Sequence, residues 1–186
     1  MLGRLFRSRP RREAAYRLYT RTVEAARRPV YYAELGVPDT LDGRFELLAL
    51  HMALVLRRLA AAPEAKDFAQ EVFDAMFADL DRGLRELGTG DLGVGREVKR
   101  MAAAFYGRAR AYERGLVGAE DLEDALRRNL YGTAAPSAAA IETMRAWSEA
   151  AAASLGRQSV AALMAGEVEF PTPAPCRKDD DDVDAE

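Results

Sequence analysis

The segment Arg44 to Leu59, RFELLALHMALVLRRL, constrains more than any other what this chain can fold into. Phe45, Leu48, Met52, Val55, Leu56 and Leu59 form an apolar stripe at helical spacing, and further apolar residues fill nearly every other side. A helix with almost no polar face has to be surrounded by other elements, so this segment predicts the central helix of a domain. Its neighbours repeat the same period with one wet face each. Ala15, Leu18, Tyr19, Val23 and Ala26 mark a helix over 11–27, ended by Pro29. The stretch VYYAELGVPDTLDG reads as a connector rich in turn formers, with Asp42 placed to cap the central helix.

After Pro63, the residues Phe68, Val72, Phe73, Met76, Phe77, Leu80, Leu84 and Leu87 predict a second long helix. Its outer face carries Asp74, Asp79, Asp81, Arg82, Arg85 and Glu86, with Asp81 and Arg85 at favourable i,i+4 spacing. Val98, Met101, Ala102, Phe105 and Ala109 set out another helical stripe. Residues 119–130 open with Glu120 and Asp121, acids suited to a helix N-terminus, and Gly132 closes them. A last helix runs from about Ser137 through Ile141, Met144, Trp147 and Ala151 to Leu155, resuming from Ser159 to Met164 after a break at Gly156.

No window alternates with the period of two that a strand needs, and Ile141 is the only isoleucine. The expectation is an all-α single domain of about six helices. Three regions are anticipated: a basic N-terminal helix over 1–30, a helical domain over 31–165, and a Pro-rich spacer with an acidic tail over 166–186. In the last region PTPAPC reads as a stiff extended spacer, and DDDDVDAE is too charged to fold, so the tail is expected to be disordered.

A formal charge of −3 argues against a general DNA or RNA binder. The average conceals an asymmetry, because Arg4, Arg7, Arg9, Arg11 and Arg12 crowd the start while Asp179 to Asp182 crowd the end. Arg96, Lys99, Arg100, Arg108 and Arg110 make a second basic segment. Arg4, Arg7, Arg11, Arg12, Arg96 and Arg100 are therefore candidates for an anionic surface such as lipid headgroups or ribosomal RNA, against the plainer reading of a solvated face. Cys176 stands alone, which points to a reducing compartment, and no apolar run reaches the length of a membrane span. The arginine-rich start imitates an organelle transit peptide but runs on without a break into a patterned helix.

Gly88-Thr89-Gly90-Asp91-Leu92-Gly93 matches the G-x-G-x-x-G fingerprint of dinucleotide loops. That fingerprint works only between a strand and a helix, and here a helix precedes it, so Gly88 reads as a helix stop instead. A nucleotide- or anion-binding enzyme using Gly88 to Gly95 is kept as an alternative, as is a purely structural helical adaptor. His51 has no second His or Cys at ligand spacing, which favours a structural or interface histidine over a metal ligand. Asp74, Asp79 and Asp81 read as a solvated face, since no nucleophile, base and orienting partner can be assembled around them. Phe73, Met76, Phe77, Phe105 and Tyr106 supply more large apolar groups than two packed helices need, so they are core or, alternatively, a groove for an apolar client.

In order along the chain, DGRFELLALH, FDAMFADLDRGLRELGTGDL, VKRMAAAFYGRARAY and ALRRNLYG resemble the ubiquinol-cytochrome c chaperone family over roughly Tyr31 to Gly132. The resemblance implies an all-α, non-enzymatic assembly chaperone for cytochrome b of the bc1 complex, without a cofactor or metal. It also implies work near the inner membrane and the ribosomal tunnel exit, with a small partner protein for the mitochondrial member. By motif it points to Asp42, Arg44, His51, Phe73, Met76, Phe77, Asp79, Asp81, Arg85, Asp91, Lys99, Phe105, Tyr106 and Arg108 as client- or partner-binding candidates. The start at a basic helix favours a bacterial, cytoplasmic member peripheral to the inner membrane over a mitochondrial one. Gly93-Val94-Gly95 replaces the family's usual small polar residue and Val-Pro, which predicts a loosened hinge between the two helices.

Overall fold

The computed structural model describes residues 2–175 apart from Leu87, Thr89 and Thr133; its side chains are described from Arg9 onward, Asp91 and Leu92 excepted. The described residues form eight α-helices and no strand: α1 (Leu2–Ala26), α2 (Val30–Ala33), α3 (Leu41–Ala60), α4 (Lys66–Glu86), α5 (Asp91–Leu116), α6 (Leu122–Leu126), α7 (Ala138–Arg157) and α8 (Val160–Met164). A 3-10 turn, Pro63–Ala65, leads into α4, and α6 runs on as a π turn over Arg127–Tyr131.

The apolar α3 lies at the centre, touching α1, α4, α5 and α7. Every residue from Ala49 to Val55 is buried, as the absence of a polar face demands. α1 packs chiefly on α4, inserting Ala15, Leu18 and Tyr19 into the shared core. Ion pairs between Arg11 of α1 and Glu71 and Asp67 of α4 line the edge of that contact.

Several boundaries differ from the sequence expectation, each for a local reason. α1 begins nine residues before Arg11 and runs through Pro10, and Pro29 opens the short α2 instead of merely ending α1. The cap of α3 is Thr40, whose hydroxyl accepts the Gly43 N–H at 3.1 Å; Asp42 lies in the first turn, where its charge faces the positive end of the helix. α7 continues past Gly156 and stops at Gln158, where the backbone turns extended. Arg58 of α3 donates to the carbonyls of Leu155 and Gln158 at 3.0 and 2.9 Å, satisfying the end of α7.

The expected hinge is instead helix. Gly88 does end α4 in a left-handed turn with φ of 83°, but Gly90 is already the N-cap of α5, so Gly93 and Gly95 sit within its first turns. Gly93 and Val94 donate to the Gly90 carbonyl at 2.8 and 3.0 Å, so this stretch opens a helix, and what precedes it is α4 and not the strand that the dinucleotide fingerprint needs.

The segment after α8, expected as spacer, packs back on the helices. Val168 and Phe170 are buried. The indole Nε1 of Trp147 donates to the Pro171 carbonyl at 2.9 Å, and Arg28 donates to the carbonyls of Phe170 and Pro171. The acidic tail from Cys176 lies outside the described residues.

Candidate functional site

His51 is fully buried on α3, and its two ring nitrogens show how it is used. Nδ1 lies 2.8 Å from the Leu47 carbonyl, which can only accept, so Nδ1 carries the proton. Nε2 is then the acceptor for the Tyr31 hydroxyl at 3.3 Å. Trp147 and Phe170 enclose the ring at centroid distances of 4.7 and 4.9 Å. Burial depresses its pKa to about 3, so the imidazole is neutral and serves the core.

The aromatic surplus of α4 and α5 also belongs mostly inside. Met76, Phe77 and Phe105 are buried, and Phe73 packs against Phe77, Phe105 and Tyr106 at 4.6 to 5.7 Å. Tyr106 is open to solvent, at 60% exposure, and Phe73 is half-buried. These side chains are therefore mostly core, with Phe73, Phe77 and Phe105 meeting in the α4–α5 contact.

A cavity of about 840 Å³ opens elsewhere, between α1, the start of α3, the end of α4, the middle of α5 and the π turn. Val23, Leu41, Phe45, Leu48, Leu80, Leu84, Met101 and Ala104 give it apolar walls. Tyr32 of α2 and Pro38 of the following connector also reach it, and with walls from so many separate segments it exists only in the folded chain. Its polar groups are tied to one another. Tyr19 donates to Asp79 at 2.8 Å, joining α1 to α4 across one side. Arg100 pairs with Glu97 at the rim and holds that carboxyl below its usual range.

At the floor Arg108 forms a two-pronged ion pair with Glu46, and its guanidinium stands 6.0 Å from the centroid of the Phe45 ring. Glu46 is well buried, and the cost of desolvating its charge outweighs the Arg108 contact, so its carboxyl titrates above the ordinary value. The neighbouring turn is tightly fitted, since a methyl group on Gly43 would run into the Pro38 carbonyl. The π turn supplies Arg128, Asn129, Leu130 and Tyr131 to the cavity, and Tyr131 is fixed by its hydroxyl donating to the Leu35 carbonyl at 2.9 Å. Interruptions of this kind in helices frequently mark functional sites.

The family profile described as ubiquinol-cytochrome C chaperone matches residues 33–170. The chain belongs to this family. It is similar to ubiquinol-cytochrome-c reductase complex assembly factor 1 of Xenopus laevis, at 27% identity over 119 residues, 63% of this chain and 60% of that protein. The chain thus matches somewhat less than two thirds of that relative's length. Its fold is similar to the crystal structure of the Cbp3 homolog from Brucella abortus, with a TM-score of 0.79 and 37% identity, covering 92% of this chain and 97% of that one.

The chaperone-family motifs meet at the cavity although they lie far apart in sequence. Asp42, Arg44, Asp79, Arg100 and Arg108, all candidates from the sequence, line it. Arg44 pairs with Asp39 at 2.6 Å on the outer side. Asp81 and Arg85 form the expected ion pair at 2.7 Å but away from the cavity, and Arg96 and Lys99 are exposed on α5. Arg11 is engaged with Glu71, Arg12 is exposed, and the side chains of Arg4, Arg7 and Asp91 lie outside the described residues. Sequence reasoning had no means to single out Val23, Leu41, Leu48, Met101 or Arg128 as cavity residues. The signal that was present is the motif ALRRNLYG, whose spacing gives no hint of its π geometry.

Proposed function

We propose that this chain is a non-enzymatic assembly chaperone of the ubiquinol-cytochrome c reductase complex, and that the cavity floored by Glu46 and Arg108 receives an apolar segment of cytochrome b. One observation carries the reading: the four family motifs, scattered from Asp42 to Gly132, contribute walls to a single apolar cavity. Apolar walls with a few fixed polar groups suit a hydrophobic segment that carries an occasional hydrogen-bonding side chain. Asp79, Glu97 and Glu46 are committed to Tyr19, Arg100 and Arg108, an arrangement that holds shape. The relative and the structural neighbour support the assembly role through their names, assembly factor 1 and Cbp3 homolog.

In this reading the chain works at the cytoplasmic face of the inner membrane as a peripheral protein. No helix of the described residues is long and apolar enough to cross a bilayer. The test is the paired substitution Leu84→Asp with Met101→Asp in cells. Assembled bc1 complex should fall severalfold while the level of the chaperone itself is unchanged. Assembly at the wild-type level with a folded variant would defeat the proposal.

A further inference from the structure

We propose that the outer face of α5 is a docking surface for an anionic lipid bilayer. This deepens the peripheral placement proposed above, and vesicle binding tests it apart from any client. Arg96, Lys99, Ala103, Tyr106 and Arg110 follow one another at steps of three and four, so they share one side of the helix, and all five are exposed. Arg114 and Val117 continue the stripe, with Val117 at 58% exposure. Within α5 no acid falls on it, and only Arg114 at its far end is taken up by a carboxylate, that of Glu120 at 2.6 Å. Glu97 turns into the cavity rim beside Arg100, and Glu113 turns to Arg57, 2.5 Å away. Arg96, Lys99 and Arg110 have no carboxylate partner among the described residues. At 1.5 Å per residue the stripe is roughly 30 Å long.

The basic residues of α1 are arranged differently. Arg9 pairs with Glu13 at 3.2 Å, Arg11 is taken up by Glu71, and Arg17 donates to the Ala165 carbonyl. Arg12 and Arg21 are exposed, but nine positions apart they lie on opposite sides of the helix. Of the two basic segments expected to face an anionic surface, α5 is the one whose described side chains form a continuous stripe, unpaired from Arg96 to Arg110.

The chemistry along the stripe favours lipid over nucleic acid. Ala103 and Val117 gain from burial at headgroup depth and nothing from a sugar-phosphate chain. Tyr106 stacks on Phe73 at a centroid distance of 5.3 Å with its ring open to solvent, the disposition of an interfacial aromatic anchor. Arg100 borders both the stripe and the cavity, so docking on this face sets the cavity mouth a quarter turn away from the headgroups.

The experiment is flotation of the full chain with vesicles of phosphatidylcholine alone and of phosphatidylcholine mixed with phosphatidylglycerol. Binding only to the mixed vesicles, weakened by added salt, is expected. At about 1 kcal/mol per basic residue, Arg96→Gln, Lys99→Gln and Arg110→Gln together should lower partitioning about 100-fold. Tyr106→Ser should lower it severalfold, and Arg12→Gln with Arg21→Gln should leave it unchanged. All these positions are exposed, and circular dichroism checks that each variant is folded. Equal binding to neutral vesicles, no binding to either kind, or an unaffected triple variant would overturn the proposal. So would stripe-dependent binding of a ribonucleotide homopolymer by a chain that ignores vesicles.

Discussion

At the scale of single residues, two buried ionisable groups make opposite predictions. His51 is neutral in the fold, with its pKa lowered from 6.5 to about 3, so the unfolded chain binds the extra proton. Its contribution to stability is present above pH 6.5 and is lost as pH falls towards 3, at up to about 1.4 kcal/mol per pH unit. Urea titrations of the protein and of His51→Gln across that window should show the slope and its reduction. Glu46 has the reverse sign: its pKa is raised, so the folded chain holds the proton more tightly and acid relieves the cost of burying it. Arg108→Met strands this carboxylate and should cost about 2 to 4 kcal/mol near neutral pH, allowing for partial exposure of the pair, with a smaller loss in acid. Chemical denaturation at both pH values checks it. Arg108 was a candidate by motif, but its pairing with Glu46 was not readable from sequence, because the two are remote in the chain and meet only through the α3–α5 contact.

At the scale of elements, helix periodicity carried the architecture, and the central placement of α3 follows directly from its missing polar face. What periodicity could not settle is what each apolar stripe faces. On α4, Phe77 meets Phe105 of α5 and, like Met76, is core, while Leu80 and Leu84, one and two turns after Met76 on the same stripe, line the cavity. The difference is set by how helices diverge, which a stripe does not encode. Glycine misled in a similar way at the start of α5, where helix propensity was overridden by tertiary packing around the buried Val94. Gly95 is exposed with open space beside it, so Gly95→Ala should stabilise the protein by about 0.5 to 1 kcal/mol, raising the melting temperature. A working hinge would give the opposite result. Gly43→Ala should instead cost on the order of 1 to 3 kcal/mol, since the Pro38 carbonyl blocks the added methyl group.

At the scale of the whole molecule, the packed unit extends beyond the last helix. Phe170 closes over His51 and Trp147, and Arg28 holds the carbonyls of Phe170 and Pro171. Phe170→Ala should therefore cost about 3 kcal/mol in thermal or urea unfolding, far more than substitution in a loose spacer. That closure ties the end of the described chain to α3, to α7 and to the turn between α1 and α2. The central claim is that this cavity takes the client. Site-specific photo-crosslinking in cells from Leu41, Leu84 and Met101, set against Glu142 and Arg157 on α7, tests it most directly. The account predicts capture of cytochrome b from the three cavity positions and little from the two others; equal capture from all five, or none from the cavity, would contradict it.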